Sequence, residues 1–455
     1  MLLSSSIFAV LWVGWGWLPF SCGGSLTNAF ANLICRQSFE RLFFSLPNEL
    51  HVLILKSLSL QDLLDLRILS RSWHTLVTLH EVPFVRHYLA NHVPAYALRL
   101  YPVRDNTSLN LHHLCSIWHR LHVATKLSHL ICEWAVKDIF LRTTDARRLE
   151  FAPQSERMYR RLVPLVFTVF HFFEQYRILH EEYIREHDGV GLHLTPYTLN
   201  PVEVQVMSMY DDATLLRVHE VFPLVIASFC RRLRPPTYIG RVERSIRGYL
   251  RDKPPDEVHS AILCLGGLRQ VEKLWEVKGY GARRHAVDVW YSSVSRPPVD
   301  PSLRPSFASR SDRSFINMGR KKASQPATVV SHDWTSSHGV GSADGTSHHS
   351  DSSYIFHTSL ASGMPMSPLP ASSLASLLPD MPVLQQIWLV TAEALILERK
   401  IVERPQDISR NTQVLLDLIR EDGFELGDEW SYGATGSPSV RPPPGSADDD
   451  DPSGY

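Results

Sequence analysis

A chain of 455 residues with 44% hydrophobic side chains has the length of two to three domains and can fill at least one sizeable core. Its 46 Lys and Arg nearly cancel its 47 Asp and Glu, so no global field favours nucleic acid, an anionic membrane or acidic substrates, and no nucleic-acid partner is expected. The six cysteines, Cys22, Cys35, Cys115, Cys132, Cys230 and Cys264, form no C-x-x-C pair, unlike a zinc ribbon or a disulfide framework, and reduced thiols in the cytoplasm or nucleus are expected.

Residues 1–35 carry no charged side chain, and the run from Ile7 to Phe20 is apolar enough to engage a membrane. Three readings stay open. As a secretory signal the segment has small residues around Cys22-Gly23 but no basic n-region. As an uncleaved anchor touching the membrane through residues 1–20, it is followed by Arg36 and Arg41, which would hold the rest of the chain on the cytosolic side. As a buried segment or a misassigned gene start, it is broken by Gly14, Gly16 and Pro19.

Three short helices are predicted next, over residues 47–57, 60–68 and 71–81. Pro47 suits a first helical turn because its missing N–H would be unpaired there, and Glu49 lies near the positive end of the helix dipole. Leu50, Leu53, Ile54 and Leu58 then form an apolar stripe that must find a partner. Ser59 and Asp62 have the spacing of an N-terminal cap for a second helix carrying Leu63, Leu64 and Leu66. Ser70 caps a third, which presents Trp73, Leu76 and Val77 and is expected to end before Pro83.

The Leu46-Pro47 opening, Glu49-Leu50, Ile54-Leu55, Leu58, Asp62-Leu63-Leu64, Leu66-Arg67, Leu69-Ser70 and Trp73 together resemble the F-box over residues 45–82, in both order and spacing. The resemblance implies a three-helix unit whose aliphatic face docks on the small adaptor subunit of an SCF-type (cullin-RING) ubiquitin ligase, leaving the rest of the chain to recruit a target protein. It places Leu46, Pro47, Leu50, Ile54, Leu58 and Leu63 against that adaptor, and Trp73 in internal packing.

From about residue 90 to 290 apolar residues keep helical spacing, so the fold class is mainly α, with an irregular helical body of residues 90–290 behind the F-box. Helices are predicted over 112–141, 156–187, 202–233 and 257–277, with breaks at Pro83, Pro94, Pro102, Gly189-Val190-Gly191, Pro235-Pro236 and Pro254-Pro255. No repeat of about 20 to 50 residues appears, which excludes leucine-rich, WD-type and kelch-type arrays as the target platform. Residues 292–380 turn to Ser, Pro, Gly and His and are expected to form a disordered insertion. Two helices, 383–403 and 413–421, are expected within 383–425 and free to pack back on the body, before a disordered acidic tail over 426–455 with Asp448 to Asp451.

Catalytic and metal constellations are sparse. Cys115, His119, His122 and His129 share one face of the 112–141 helix, a spacing compatible with zinc, but a solvated histidine-rich face is the expected reading and no metal is assigned. His180 to His187 lacks H-E-x-x-H because position 184 is Ile184, and Lys278 to Arg284 lacks the third glycine of a dinucleotide loop. Arg320-Lys321-Lys322 is a short basic run, and Ser367-Pro368 and Ser437-Pro438 are candidate phosphorylation sites. No cofactor and no enzymatic site are expected. The chain reads as a receptor that brings an unidentified target protein to a ligase, with an F-box scaffold, or a membrane-anchored or secreted helical protein, as rivals.

Overall fold

The computed structural model describes residues 40–103, 109–193, 195, 198–235, 253–296 and 364–421, and every regular element among them is helical. The apolar segment 1–35, the basic run at Arg320, Ser437 and the acidic tail lie outside the described residues, as does most of the stretch read as a disordered insertion. The chain divides into two units after Ser59.

The first unit is short. A helical turn over residues 40–44 leads into α1, Asn48–Leu55, whose start is set by Pro47: its carbonyl accepts from the backbone N–H of Leu50 at 3.0 Å and of His51 at 3.3 Å. His51 and Leu55 are buried on one side of α1, and His51 donates from Nε2 to the carbonyl of Phe43 at 2.6 Å, which ties the helix to the preceding turn.

The second unit begins with α2, Leu60–Leu69, and α3, Arg71–Leu79, which pack together. Ser70 caps α3 by accepting from Trp73 N, and Trp73, Leu76 and Val77 are buried as the spacing predicts. Pro83 does not act as a stop. It falls in the first turn of a further helix, α4, Glu81–His92, where no intrahelical N–H is required of it. A shorter α5, Ala95–Leu100, follows directly after Pro94.

The body is organised around two long helices, α6 (Leu111–Trp134) and α8 (Ala152–Glu186), joined by a π-helical turn, Ala135–Ile139, and the short exposed α7, Asp145–Glu150. With 35 residues, α8 is about 50 Å long and is the shared wall of the unit. It packs against α5, α6, α9 (Pro201–Met207), α10 (Asp212–Arg232) and α12 (Gly267–Glu276). Its middle, Leu162 to Phe173, is buried on all sides, which is why its apolar residues do not keep to a stripe. Helix α10 is the one described helix long and apolar enough to cross a membrane by length and composition; here it packs against α8 and α15, Leu389–Glu398.

Two predicted helices are each divided. The 202–233 span splits because Asp211 starts a new helix, its carboxylate accepting from Thr214 N at 3.1 Å. The 257–277 span becomes α11 (Asp256–Ala261), a π-helical turn (Ile262–Gly266) and α12, with a break at Gly267, whose φ of 62° suits glycine. A helix α13, Tyr280–Val294, follows Gly279.

Order also returns earlier than composition suggests. Residues 292–296 and 364–380 are part of the fold, the latter with a helix α14, Ala371–Leu377. Met364 and Met366 are buried, and Arg177 in α8 donates to the carbonyls of Leu265 (3.0 Å) and Ser367 (2.9 Å). Leu377 joins a cluster with Ile184, Ala261, Leu265 and Val294. Further on, α16, Thr412–Ile419, lies against α8, and Arg161 donates to the carbonyls of Asp417, Leu418 and Arg420, acceptors left open at that helix end. Of the two segments in which spacing predicts helices, 383–403 holds α15, which packs on α10, and 413–421 holds most of α16, which packs on α8.

Candidate interaction surface

Helix α1 places its apolar residues outward. At about 100° per residue, Leu50, Leu53 and Ile54 fall within roughly 100° of arc, on the side away from His51 and Leu55. The buried side is built from a histidine and one leucine, while Leu50, Leu53 and Ile54 are 42%, 67% and 42% exposed. Leu42, in the preceding turn, is 69% exposed. This run of exposed aliphatics on one short helix is therefore not part of a core in the described residues, and it is the candidate surface for a partner.

Of the residues that sequence places at the adaptor, Pro47, Leu50 and Ile54 are exposed and Leu46 and Leu58 half-buried, all within the first unit. Leu63, in the second unit, is fully buried and so does not belong to an exposed set. Leu42 was not singled out from sequence, because it precedes the Leu-Pro start and no periodic stripe reaches it.

Two buried carboxylates of the body are held in structural pairings. Arg120 in α6 donates from Nε and Nη2 to both oxygens of Glu174 in α8, at 2.9 and 2.7 Å, and Tyr101 adds its hydroxyl at 2.6 Å. Burial alone would raise the Glu174 carboxyl, but these donors outweigh it and hold it below its usual range. His180 donates from Nε2 to Asp380 at 2.8 Å, and Asp380 also accepts from the backbone N–H groups of Leu192 and His193. That carboxylate fastens residues 364–380 to the end of α8.

The histidine face of α6 is not the solvated surface its composition suggested. Cys115 and His119 are buried, the latter edge-on to Phe170; His122 approaches Glu272, and His129 meets the ring of Tyr159. Burial, with Lys126 nearby, lowers the pKa of His122 to about 4, and burial raises the Cys115 thiol to about 12. Among the described residues no three His, Cys, Asp or Glu side chains are placed to share a metal ion, and Cys115, Cys132, Cys230 and Cys264 are free thiols.

The family model of the F-box domain matches residues 43–84, from Phe43, which anchors His51, to Phe84 in α4. The chain carries an F-box domain there. No curated protein and no solved structure gives a significant match to the chain.

Proposed function

We propose that this protein is a substrate receptor of an SCF-type ubiquitin ligase: its F-box binds the adaptor subunit while the helical body recruits a target protein. The observation that carries the reading is the coincidence of the F-box match with the exposed aliphatics of α1. A protein in this role supplies proximity. Holding a target lysine near the loaded conjugating enzyme raises its effective concentration and needs no catalytic residue in the receptor. The reading places the chain in the cytoplasm or nucleus, and if residues 1–20 anchor it, on the cytosolic face of a membrane.

The test replaces Leu50 and Ile54 together by Asp. Two carboxylates on that face would have to be desolvated against an apolar partner, at several kcal/mol, so adaptor recovery on co-purification is expected to fall to background. Both side chains are exposed, so the helical circular dichroism should be unchanged. Full adaptor recovery with the folded double variant would sink the assignment.

A further inference from the structure

The Ser367-Pro368 dipeptide, a candidate phosphorylation site by sequence, falls on the segment that returns to the body, and a buried cation lies beside it. Ser367 closes a turn: its N–H donates to the Met364 carbonyl at 3.1 Å, with Pro365 in the second position and Met366, at φ 55°, in the third. A positive φ at that position suits glycine, so Met366 holds the turn under strain while its side chain is buried. Ser367 is half-buried and Pro368 is exposed.

Two arginines hold this turn by its carbonyls. Arg177 in α8 donates to Ser367 at 2.9 Å, and Arg269 in α12 donates to Pro365 at 3.3 Å. Arg177 is 8% exposed, and among the described residues it bonds only neutral carbonyls, both through Nη1, and forms no ion pair. Its Nε and Nη2 have no acceptor there. The carboxylates that act on it are engaged elsewhere: Glu174 by Arg120 and Tyr101, and Glu181 by the hydroxyl of Ser373. Burial lowers the pKa of Arg177, Glu174 and Glu181 partly oppose this, and the nearby charge of Arg269 adds to it. A buried guanidinium without its own counter-charge is costly to the docked segment.

We propose that Ser367 is phosphorylated by a proline-directed kinase and that Arg177, together with Arg269, receives the phosphate, latching residues 364–380 onto α8 and α12. In the transfer the O–H bond of Ser367 breaks and an O–P bond forms to the γ-phosphoryl of ATP; ADP leaves and the proton passes to the kinase's base. The modified Oγ hangs from the same Cα as the carbonyl that Arg177 already holds, so the phosphate lies within a few ångströms of that guanidinium. It carries a charge of about −1.5 to −2 at pH 7 and offers acceptors to Nε and Nη2, the counter-charge that the unmodified fold lacks. Pro368 biases Ser367 toward extended backbone, the form a kinase cleft accepts. Because Met364, Pro365 and Met366 are buried, transfer takes place on the lifted segment, and the phosphate then favours the docked state. This latch does not depend on the receptor reading.

The test uses the full-length protein in two arms. In the first, purified cyclin-dependent and mitogen-activated kinases with ATP are expected to modify Ser367, read by mass spectrometry, and Pro368→Ala should abolish the modification. In the second, phosphoserine is incorporated at position 367 during translation, and amide hydrogen exchange is followed over residues 364–377, which include the Ser367 N–H of the turn. Exchange is expected to slow about tenfold relative to the unmodified chain. Arg177→Gln and Arg269→Gln should each reduce that slowing, while Arg177→Lys, which keeps the charge, should retain part of it. Circular dichroism verifies the fold of each variant, and Arg269→Gln, at the less buried arginine, serves if Arg177→Gln does not fold. Absence of kinase modification overturns the site. Unchanged or faster exchange with phosphoserine, or slowing indifferent to both arginine replacements, overturns the latch. Inorganic phosphate added to Ser367→Ala should leave exchange unchanged; equal slowing there would make the arginines a site for a free anion and overturn the proposal.

Discussion

Glu203 shows how a single side chain sets a pH dependence. It is 1% exposed in α9, accepting from Trp388 N at 3.1 Å and from the hydroxyl of Thr391. Burial raises its carboxyl from 4.5 to about 7, because two neutral donors do not replace the lost hydration of a carboxylate. A folded pKa above the unfolded one means that the native state holds the extra proton. The stability this confers is complete below about pH 4.5 and is lost as pH rises through about 7, a change on the order of 3 kcal/mol. Glu203→Gln keeps the shape of the protonated acid and cannot ionise. In urea unfolding of the full chain it should be more stable than the parent at pH 8, with the gap closing toward pH 5. A constant difference across that range would refute the assignment. The residue matters because Trp388 has φ 70°, which a non-glycine residue adopts at a cost of about 1–2 kcal/mol. Its fully buried ring stacks on Phe222 and meets Phe172 edge-on, which offsets that strain and pins the start of α15 to the body.

At the scale of elements, apolar spacing and punctuation revealed the long helices and the cap of α3, since both are local. Ser70 over Trp73 is legible because donor and acceptor lie three residues apart. The Arg120–Glu174–Tyr101 grouping is not, because its members are separated by 54 and 73 positions and only the packing of α6 on α8 unites them. The same holds for His180 with Asp380, 200 residues apart, which places part of a Ser- and Pro-rich stretch within the fold. On the candidate site, α1 was legible from Leu50, Leu53 and Ile54, and the resemblance turned Leu50 and Ile54 outward toward a partner; spacing alone did not reveal His51 as the inward residue. The break at Gly267 combines both kinds of cause. Its φ is 62°, and a Cβ there would lie 2.3 Å from Met366 Cε, on the segment that returns to the body. Gly267→Ala should therefore destabilise by about 1–3 kcal/mol, part from the backbone and part from overpacking. Met366→Ala makes room, so the double variant should lose less than the sum of the two single losses. Strict additivity in urea midpoints would show that the close approach carries no energy.

For the whole molecule, the receptor reading requires adaptor binding and target binding to be separable, and the structure indicates how to separate them. Deleting residues 45–82 would also remove α2 and α3, whose Leu63, Leu64, Trp73 and Val77 are buried in the second unit, so loss of target binding after deletion would be ambiguous. The Leu50→Asp, Ile54→Asp variant instead alters exposed side chains of the first unit and leaves the body in place. Expressed in cells, it should keep its target but lose the ligase, and so trap the target by binding without delivery. Targets recovered with this variant are expected to carry fewer ubiquitin conjugates and to decay more slowly after cycloheximide than in cells expressing the parent chain. A scaffold that binds the adaptor without directing ubiquitin transfer gives a different result: adaptor recovery falls in the variant, yet the half-lives of all co-purified partners stay the same. Measured on the few most enriched partners, unchanged decay for every one of them would count against the receptor and leave adaptor binding as the F-box's whole role.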